Sequence, residues 1–317
     1  MSKQRRIFIA LFGLFGIGSL AMSLPALAQM PPDLAEKIAA LGRVIDPPKT
    51  NALYAALHDK EPYAGIAIAR DLKYGADELH ALDIFKPAQA GNGALPVLVH
   101  VHGGGFTRGD KHTAGTPFTD NIPLWAARNG MIGVNVNYRL APKAQWPAGA
   151  EDVAAIMQWV KANIASHGGD PARVYLLGWS AGANHVATYV AFPQFQKPDA
   201  SPVAGAILLS GSPLDTTVFP MKVYDAYFGT DTSKYAAQSP TPGLLKSSVP
   251  LMVVYAGFDP PPIEKESINL IEAKCKAQAC PRKVLLKTHS HMSEGAAIGT
   301  KDVELTDQIL AFVKTGK

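Results

Sequence analysis

A serine set between two glycines, Gly178-Trp179-Ser180-Ala181-Gly182, follows the apolar run 174–177 and precedes a helical stretch. A serine hydroxyl is a weak nucleophile until it is lifted clear of its surroundings and paired with a base. A strand, a tight turn and a helix provide that lift, and the glycines permit the strained turn. The helix start also aims main-chain N–H groups at an anion forming beside the serine. A second glycine cluster, His102-Gly103-Gly104-Gly105-Phe106, ends the apolar run 97–101. Consecutive glycines let the main chain approach a substrate carbonyl closely, so the N–H groups of Gly103, Gly104 and Ala181 are candidate oxyanion donors. His102 reads as an anchor of this loop by hydrogen bonding. No Gly-Lys-Ser/Thr and no G-x-G-x-x-G accompanies the cluster, which argues against phosphate binding.

Between the clusters lie Tyr138-Arg139-Leu140-Ala141-Pro142 and the stretch 146–153, Trp-Pro-Ala-Gly-Ala-Glu-Asp-Val. With both glycine motifs in this order and spacing, the chain from about residue 64 onward resembles the hormone-sensitive-lipase-like and related carboxylesterase branches of the α/β-hydrolase superfamily. Asn137 departs from the pattern, since many of these enzymes carry an acid before Tyr-Arg. The resemblance implies a nucleophile, acid and base arriving in the order Ser, Asp or Glu, His, with no metal or organic cofactor. Asp259, directly after the apolar run 251–255, is the expected acid, with Asp215 as its alternative; Asp225 and Asp231 read as turn residues. The base comes from Thr288-His289-Ser290-His291-Met292. Related enzymes place the histidine before an apolar residue, which selects His291 and leaves His289 a supporting role. A metal held by the His-x-His pair is disfavoured, because no carboxylate or further histidine stands at metal-like spacing.

The elements that must position these residues are legible as alternating apolar runs and helical stretches. Segments 66–69 and 80–85 flank a turn at 74–77 and predict an antiparallel edge. Strands are expected at 97–101, 132–136, 174–177, 203–209, 251–255 and 284–286. Helices are expected at 118–129, 148–166, from 181 onward, at 263–275 and at 303–314. The alternation predicts an α/β fold: a mostly parallel central sheet with an antiparallel N-terminal edge, helices on both faces and a small cap or lid. Residues 29–63 read as an N-terminal arm or cap piece, 64–317 as the catalytic domain, and 212–248, rich in Pro, Tyr and Thr, as a lid over the sheet. Phe106, Trp179, Phe219, Tyr224 and Tyr227 are candidates to line the substrate pocket, and Arg139 with Asp152 to brace the loops.

The 317 residues are 47% hydrophobic and 18% charged, a globular composition. Lys3, Arg5 and Arg6 precede an uncharged stretch from 7 to 22 and the small-residue sequence Ala26-Leu27-Ala28. That layout predicts a secretory signal peptide over 1–28, cleaved after Ala28, and hence a periplasmic or secreted bacterial protein without a stable membrane anchor. Of the 30 basic residues, 27 then remain against 26 acidic ones, which leaves no electrostatic basis for a nucleic-acid partner. Cys275 and Cys280, with four residues between them, are expected to form a disulfide in an oxidising compartment.

The expected function is a secreted serine esterase acting on small carboxylic esters with short acyl groups. An aryl formamidase or other amide hydrolase on the same scaffold is one alternative, and a catalytically dead binding or receptor protein is another.

Overall fold

The computed structural model describes residues 30–89, 91 and 93–316. The stretch 1–28, with its expected signal peptide, lies outside the described residues. Among the described residues, eight strands form one sheet: β1 (Ile66–Lys73), β2 (Ala81–Pro87), β3 (Leu95–Val101), β4 (Ile132–Val136), β5 (Gly169–Trp179), β6 (Val203–Leu209), β7 (Leu251–Phe258) and β8 (Arg282–Ser290). Their spatial order is β1-β2-β4-β3-β5-β6-β7-β8. The β1–β2 and β2–β4 pairings are antiparallel, and β4 through β8 run parallel. This is the α/β-hydrolase fold, with the antiparallel edge where the 66–69 and 80–85 segments place it.

Helices cover both faces because each central strand is apolar on both sides. On one face Val97, Val99, Val101, Leu176, Ala206, Leu208 and Val253 pack with α4 (Ala148–Asn163) and α5 (Ala181–Ala191). On the other, Leu98, Leu177, Ile207, Leu209, Met252 and Val254 meet α3 (Asn121–Arg128) and α11 (Glu304–Thr315). In α11 the inward residues Leu305, Ile309 and Phe312 recur at helical spacing. Helix α5 is buried along its whole length, which explains its run of Ala, Gly and Val.

Several elements are longer than their apolar runs. Strand β5 starts at Gly169 and β8 continues to Ser290, so His289 lies within a strand. Hydrogen bonding to a neighbouring strand continues through polar residues once the register is set, which apolar patterning alone does not reveal. The arm folds as α1 (Pro32–Leu41) and α2 (Pro47–Tyr54), whose Leu34, Ile38 and Tyr54 pack on Ala296 and Ala297. Segment 212–248 holds short helices: α6 (Asp225–Phe228), α7 (Tyr235–Gln238) and α8 (Thr241–Lys246). The long α9 (Pro261–Lys276) follows β7, and α10 (Ser293–Ala296) follows β8. Cys275, at the end of α9, is bridged to Cys280.

One topological feature determines where a ligand can go. From β3 the chain steps to β4 on one side, then returns to β5 on the other side of β3. At such a reversal the connecting helices leave on opposite faces and a crevice opens beyond the carboxyl ends of the two strands. Those ends are Val101 and Trp179, directly before the two glycine motifs.

Leu176 is fully buried in the middle of β5. Leu176→Ala is expected to cost about 2–5 kcal/mol through lost burial and the remaining cavity, read as a lower denaturant midpoint with unchanged slope. Alkylation of the unfolded protein without reductant is expected to leave its intact mass unchanged, because both cysteines are in the bridge.

Candidate functional site

Ser180 is the turn between β5 and α5. Its backbone sits at φ 54°, ψ −118°, a strained conformation for a residue with a side chain, and the turn leaves it only partly buried. The flanking glycines are dictated by contact. A Cβ on Gly178 would lie 2.5 Å from Ala183 Cα, and one on Gly182 would lie 2.1 Å from the Val101 carbonyl oxygen. Strand, turn and helix are thus pressed together more closely than any side chain allows.

The second glycine cluster lies alongside. A Cβ on Gly103 would meet the Trp179 carbonyl at 3.1 Å and Ser180 Cβ at 3.2 Å, so this main chain runs past the serine itself. Gly104 has φ +130°, and a Cβ there would stand 1.9 Å from the Arg108 carbonyl oxygen. His102 does anchor the loop: its Nδ1–H donates to the Gly103 carbonyl at 2.6 Å, and Tyr138 stacks on its ring while donating to its carbonyl at 2.9 Å. Burial holds the His102 imidazole below its ordinary pKa and therefore neutral. Asn137 accepts the Lys111 main-chain N–H at 2.6 Å. The departure from the family pattern is therefore a residue that holds the far end of the glycine loop.

Asp259 and His291 come together from the ends of β7 and β8. His291 Nδ1 donates to Asp259 Oδ1 at 2.9 Å, and both side chains are buried. Asp259 Oδ2 accepts the Ala256 N–H at 2.8 Å and the Ser210 hydroxyl at 2.6 Å. Asp215 is not part of this arrangement, since its carboxylate caps its own turn at Thr217. Asp231 likewise caps a turn at Ser233. His289 points away into the body of the fold. Its Nδ1 bonds Ser293 Oγ at 3.2 Å and its Nε2 lies 3.2 Å from Asp302, with Glu304 at 4.0 Å. Carboxylates do face His289, contrary to expectation, but they are contributed by the connection before α11 and the first residue of that helix, not by the histidine segment.

Ser180 and His291 open onto one cavity of about 690 Å³, with Gly103, Gly104 and Trp179 in its wall. Its far walls are Ile45 and Pro47 of the arm, Phe219, Val223 and Tyr224 of the 212–248 segment, and Pro262 and Ile263 of α9. Both insertions around the sheet therefore shape one space. Phe106 corrects an expectation, because it does not line this cavity. It is 1% exposed and stacks face to face on Tyr227 at 4.5 Å, with His185 and Phe228 edge-on. With φ at 68°, Phe106 follows two glycines also at positive φ, and the chain turns its ring against Tyr227 and Phe228 of the 212–248 segment. Tyr227 is buried with it, so Trp179, Phe219 and Tyr224 are the aromatic candidates that face the cavity.

A family model named BD-FAE matches residues 82–256, more than half the chain and both glycine motifs. The chain belongs to the BD-FAE family. Over 146 residues, 43% of this BD-FAE chain, it is 34% identical to esterase LipQ of Mycobacterium tuberculosis. Over 169 residues, 46% of the chain, it is 31% identical to fumonisin B1 esterase of Sphingopyxis macrogoltabida. The chain spans about a third of the length of these curated relatives, 34% and 30% respectively. A solved bacterial heroin esterase shares the fold at TM-score 0.68 and 23% identity, covering 92% of this chain and 98% of its own.

Several residues of this BD-FAE site carry no signal in the sequence. Arg43 of the arm donates from Nε to the Asp259 main-chain carbonyl at 2.6 Å and pairs with Glu264. Asn121, at the start of α3, donates to the carbonyls of Gly295 and Ile298, both at 2.9 Å, and holds the segment behind His291. Ser210 and Glu294 stand behind Asp259. These contacts join positions far apart in the chain, and no local spacing announces them. Arg139 and Asp152 do pair as expected, with Nε 2.8 Å from Oδ1.

Gly104→Ala tests the glycine loop without reference to activity. A methyl group there has no room and the backbone lies outside the region open to alanine, so the variant is expected to lose about 1–3 kcal/mol of unfolding free energy. Denaturant titration beside the parent measures this.

Proposed function

We propose that the protein is a serine hydrolase of small carboxylic esters, exported from a bacterial cell after cleavage near Ala28. The observation that carries the reading is the single cavity onto which Ser180 and His291 open, with Asp259 bonded to the far nitrogen of that histidine. The esterase relatives support it. A cavity of this size suits a small ligand, and its largely apolar wall suits an acyl group and an alcohol.

In this reading His291 Nε2 takes the Ser180 proton as Oγ attacks the acyl carbon. The carbonyl electron pair moves onto oxygen, where the N–H groups of Gly103, Gly104 and Ala181 stabilise it, a contribution of about 3–4 kcal/mol per well-placed donor in comparable sites. Collapse breaks the bond to the alcohol, which leaves with the proton held by His291. Water then repeats the sequence on the acyl-enzyme and releases the acid and Ser180. Asp259 keeps Nδ1 protonated and the ring oriented, and stabilises the imidazolium when it forms. Trp179, Phe219 and Tyr224 would contact substrate, and no step calls for a metal or organic cofactor.

The test is hydrolysis of p-nitrophenyl esters from acetate to palmitate by the mature chain. Short esters are expected to turn over fastest. Ser180→Ala and His291→Ala are each expected to lower kcat/KM by roughly a thousandfold or more, whereas His289→Ala is expected to stay within about tenfold of the parent. A parent that turns over no ester, or a Ser180→Ala protein as active as the parent, would remove the reading. N-terminal sequencing of protein recovered from the periplasm or medium is expected to begin at Gln29.

A further inference from the structure

Two buried carboxylates meet one hydroxyl behind His291. Asp259 presents Oδ1 to His291 Nδ1 and Oδ2 to Ser210 Oγ at 2.6 Å. The same Ser210 oxygen lies 2.9 Å from Glu294 Oε2, and Glu294 Oε1 accepts the Trp179 indole N–H at 3.1 Å. Ser210, Asp259 and Glu294 are all fully buried.

A serine hydroxyl owns a single hydrogen. If both acids were ionised, Ser210 could donate to only one of them. Its lone pair would face the other anion at hydrogen-bond distance, and two charges would share a site closed to water. The charged and titratable neighbours do not relieve this. Trp179 comes from β5, Ser210 from the end of β6, Asp259 from the end of β7 and His291 from the end of β8. Arg43 of the arm bonds the Asp259 main-chain carbonyl and Glu264, not either buried carboxylate. One proton on Glu294 satisfies every atom.

We propose that Glu294 is held as the neutral acid and is a positioning residue for the triad: Glu294 Oε2–H donates to Ser210 Oγ, and Ser210 Oγ–H donates to Asp259 Oδ2. Asp259 is thereby the only anion of the group. It receives donors at both oxygens, from His291 on one side and from Ser210 and Ala256 on the other, and its carboxylate plane is pinned against the imidazole. Burial first, and then the adjacent Asp259 charge, push the Glu294 carboxyl well above the ordinary carboxylate range, in the same direction as the geometry. The backbone of Ser210, at φ 41°, is held in a conformation unusual for a residue with a side chain, and its hydroxyl lies between the two acids.

The kinetic part of the test rests on the ester-hydrolase reading, and the spectroscopic part does not. Glu294→Gln keeps the shape and puts an N–H donor where the carboxylic O–H stands, whereas Glu294→Ala and Ser210→Ala break the relay. With p-nitrophenyl acetate, the two alanine variants are expected to lose roughly tenfold or more in kcat with KM little changed, the size expected when a hydrogen bond to a charged group is lost. Glu294→Gln is expected to recover most of that loss, with the acidic limb of its kcat/KM profile superposed on the parent's. The low-field proton NMR signal of His291 Nδ1–H, followed against pH without substrate, is expected to titrate at the same midpoint in parent and Glu294→Gln. A Glu294→Gln midpoint lower by about one unit or more would overturn the proposal, because it would mean that a native negative charge had been removed beside His291. Alanine variants with parental kcat would overturn the positioning role. If the alanine variants fail to fold, the parent and Glu294→Gln titrations still decide the protonation state. If the parent hydrolyses no ester, they decide it independently of the function.

Discussion

A hydroxyl has to be raised from the carboxyl edge of a parallel sheet on a turn that costs backbone strain, and the surroundings of Ser180 follow from that requirement. The turn is tolerable only because β5 and α5 are buried and hydrogen-bonded on either side of it, so the packing of the whole core holds one residue at φ 54°. The same demand removes side chains nearby. Gly178, Gly182 and Gly103 each stand where a Cβ would strike main chain or Ser180 itself, and the three together bring β3, β5 and α5 to one point. The close approach that creates the turn therefore also brings the main chain of the second glycine loop beside the serine.

Loops that approach so closely need support that apolar packing does not supply, and here it is polar, built around the buried Asp83, Lys111 and Asp120. Lys111 pairs with Asp71 and Asp83, and Arg70 with Asp83 and Asp120. Together with Asn137, these tie the segment after the glycine loop to the antiparallel edge of the sheet. On the opposite side, the arm delivers Arg43 to the Asp259 carbonyl, and His58 to the Ala296 carbonyl at 2.7 Å. Buried charges are tolerated when each finds a partner, and such networks specify one arrangement of the loops where a greasy contact would allow several.

Shape around the site comes from the insertions. The arm and the 212–248 segment each lack a place in the sheet, and each contributes a wall to the same cavity. Aromatic residues of the glycine loop and of the 212–248 segment divide into two sets. Phe106, Tyr227 and Phe228 pack on one another, and Phe106 and Tyr227 on His185, as one buried cluster. Phe219 and Tyr224 stack in parallel at 5.4 Å and face the cavity. Ring packing at these distances contributes beyond buried area alone.

The sequence by itself determined what depends on neighbours along the chain. The glycine-flanked Ser180, the loop at 102–106, the strand and helix alternation, and the placement of Asp259 and His291 just past their strands all express local rules of period and turn chemistry. What the tertiary structure decided depends on contacts between distant segments. The reversal of strand order at β3 opened the crevice, a matter of pairing that no single strand encodes. The side of the loop to which the Phe106 ring turns, the carboxylates that reach His289 from the start of α11 and the residues before it, and the grouping of Arg43, Ser210 and Glu294 around Asp259 belong to the same class. Burial supplies the physical reason. A polar side chain far from its partner in sequence is chosen to satisfy an atom that only the folded core takes out of water.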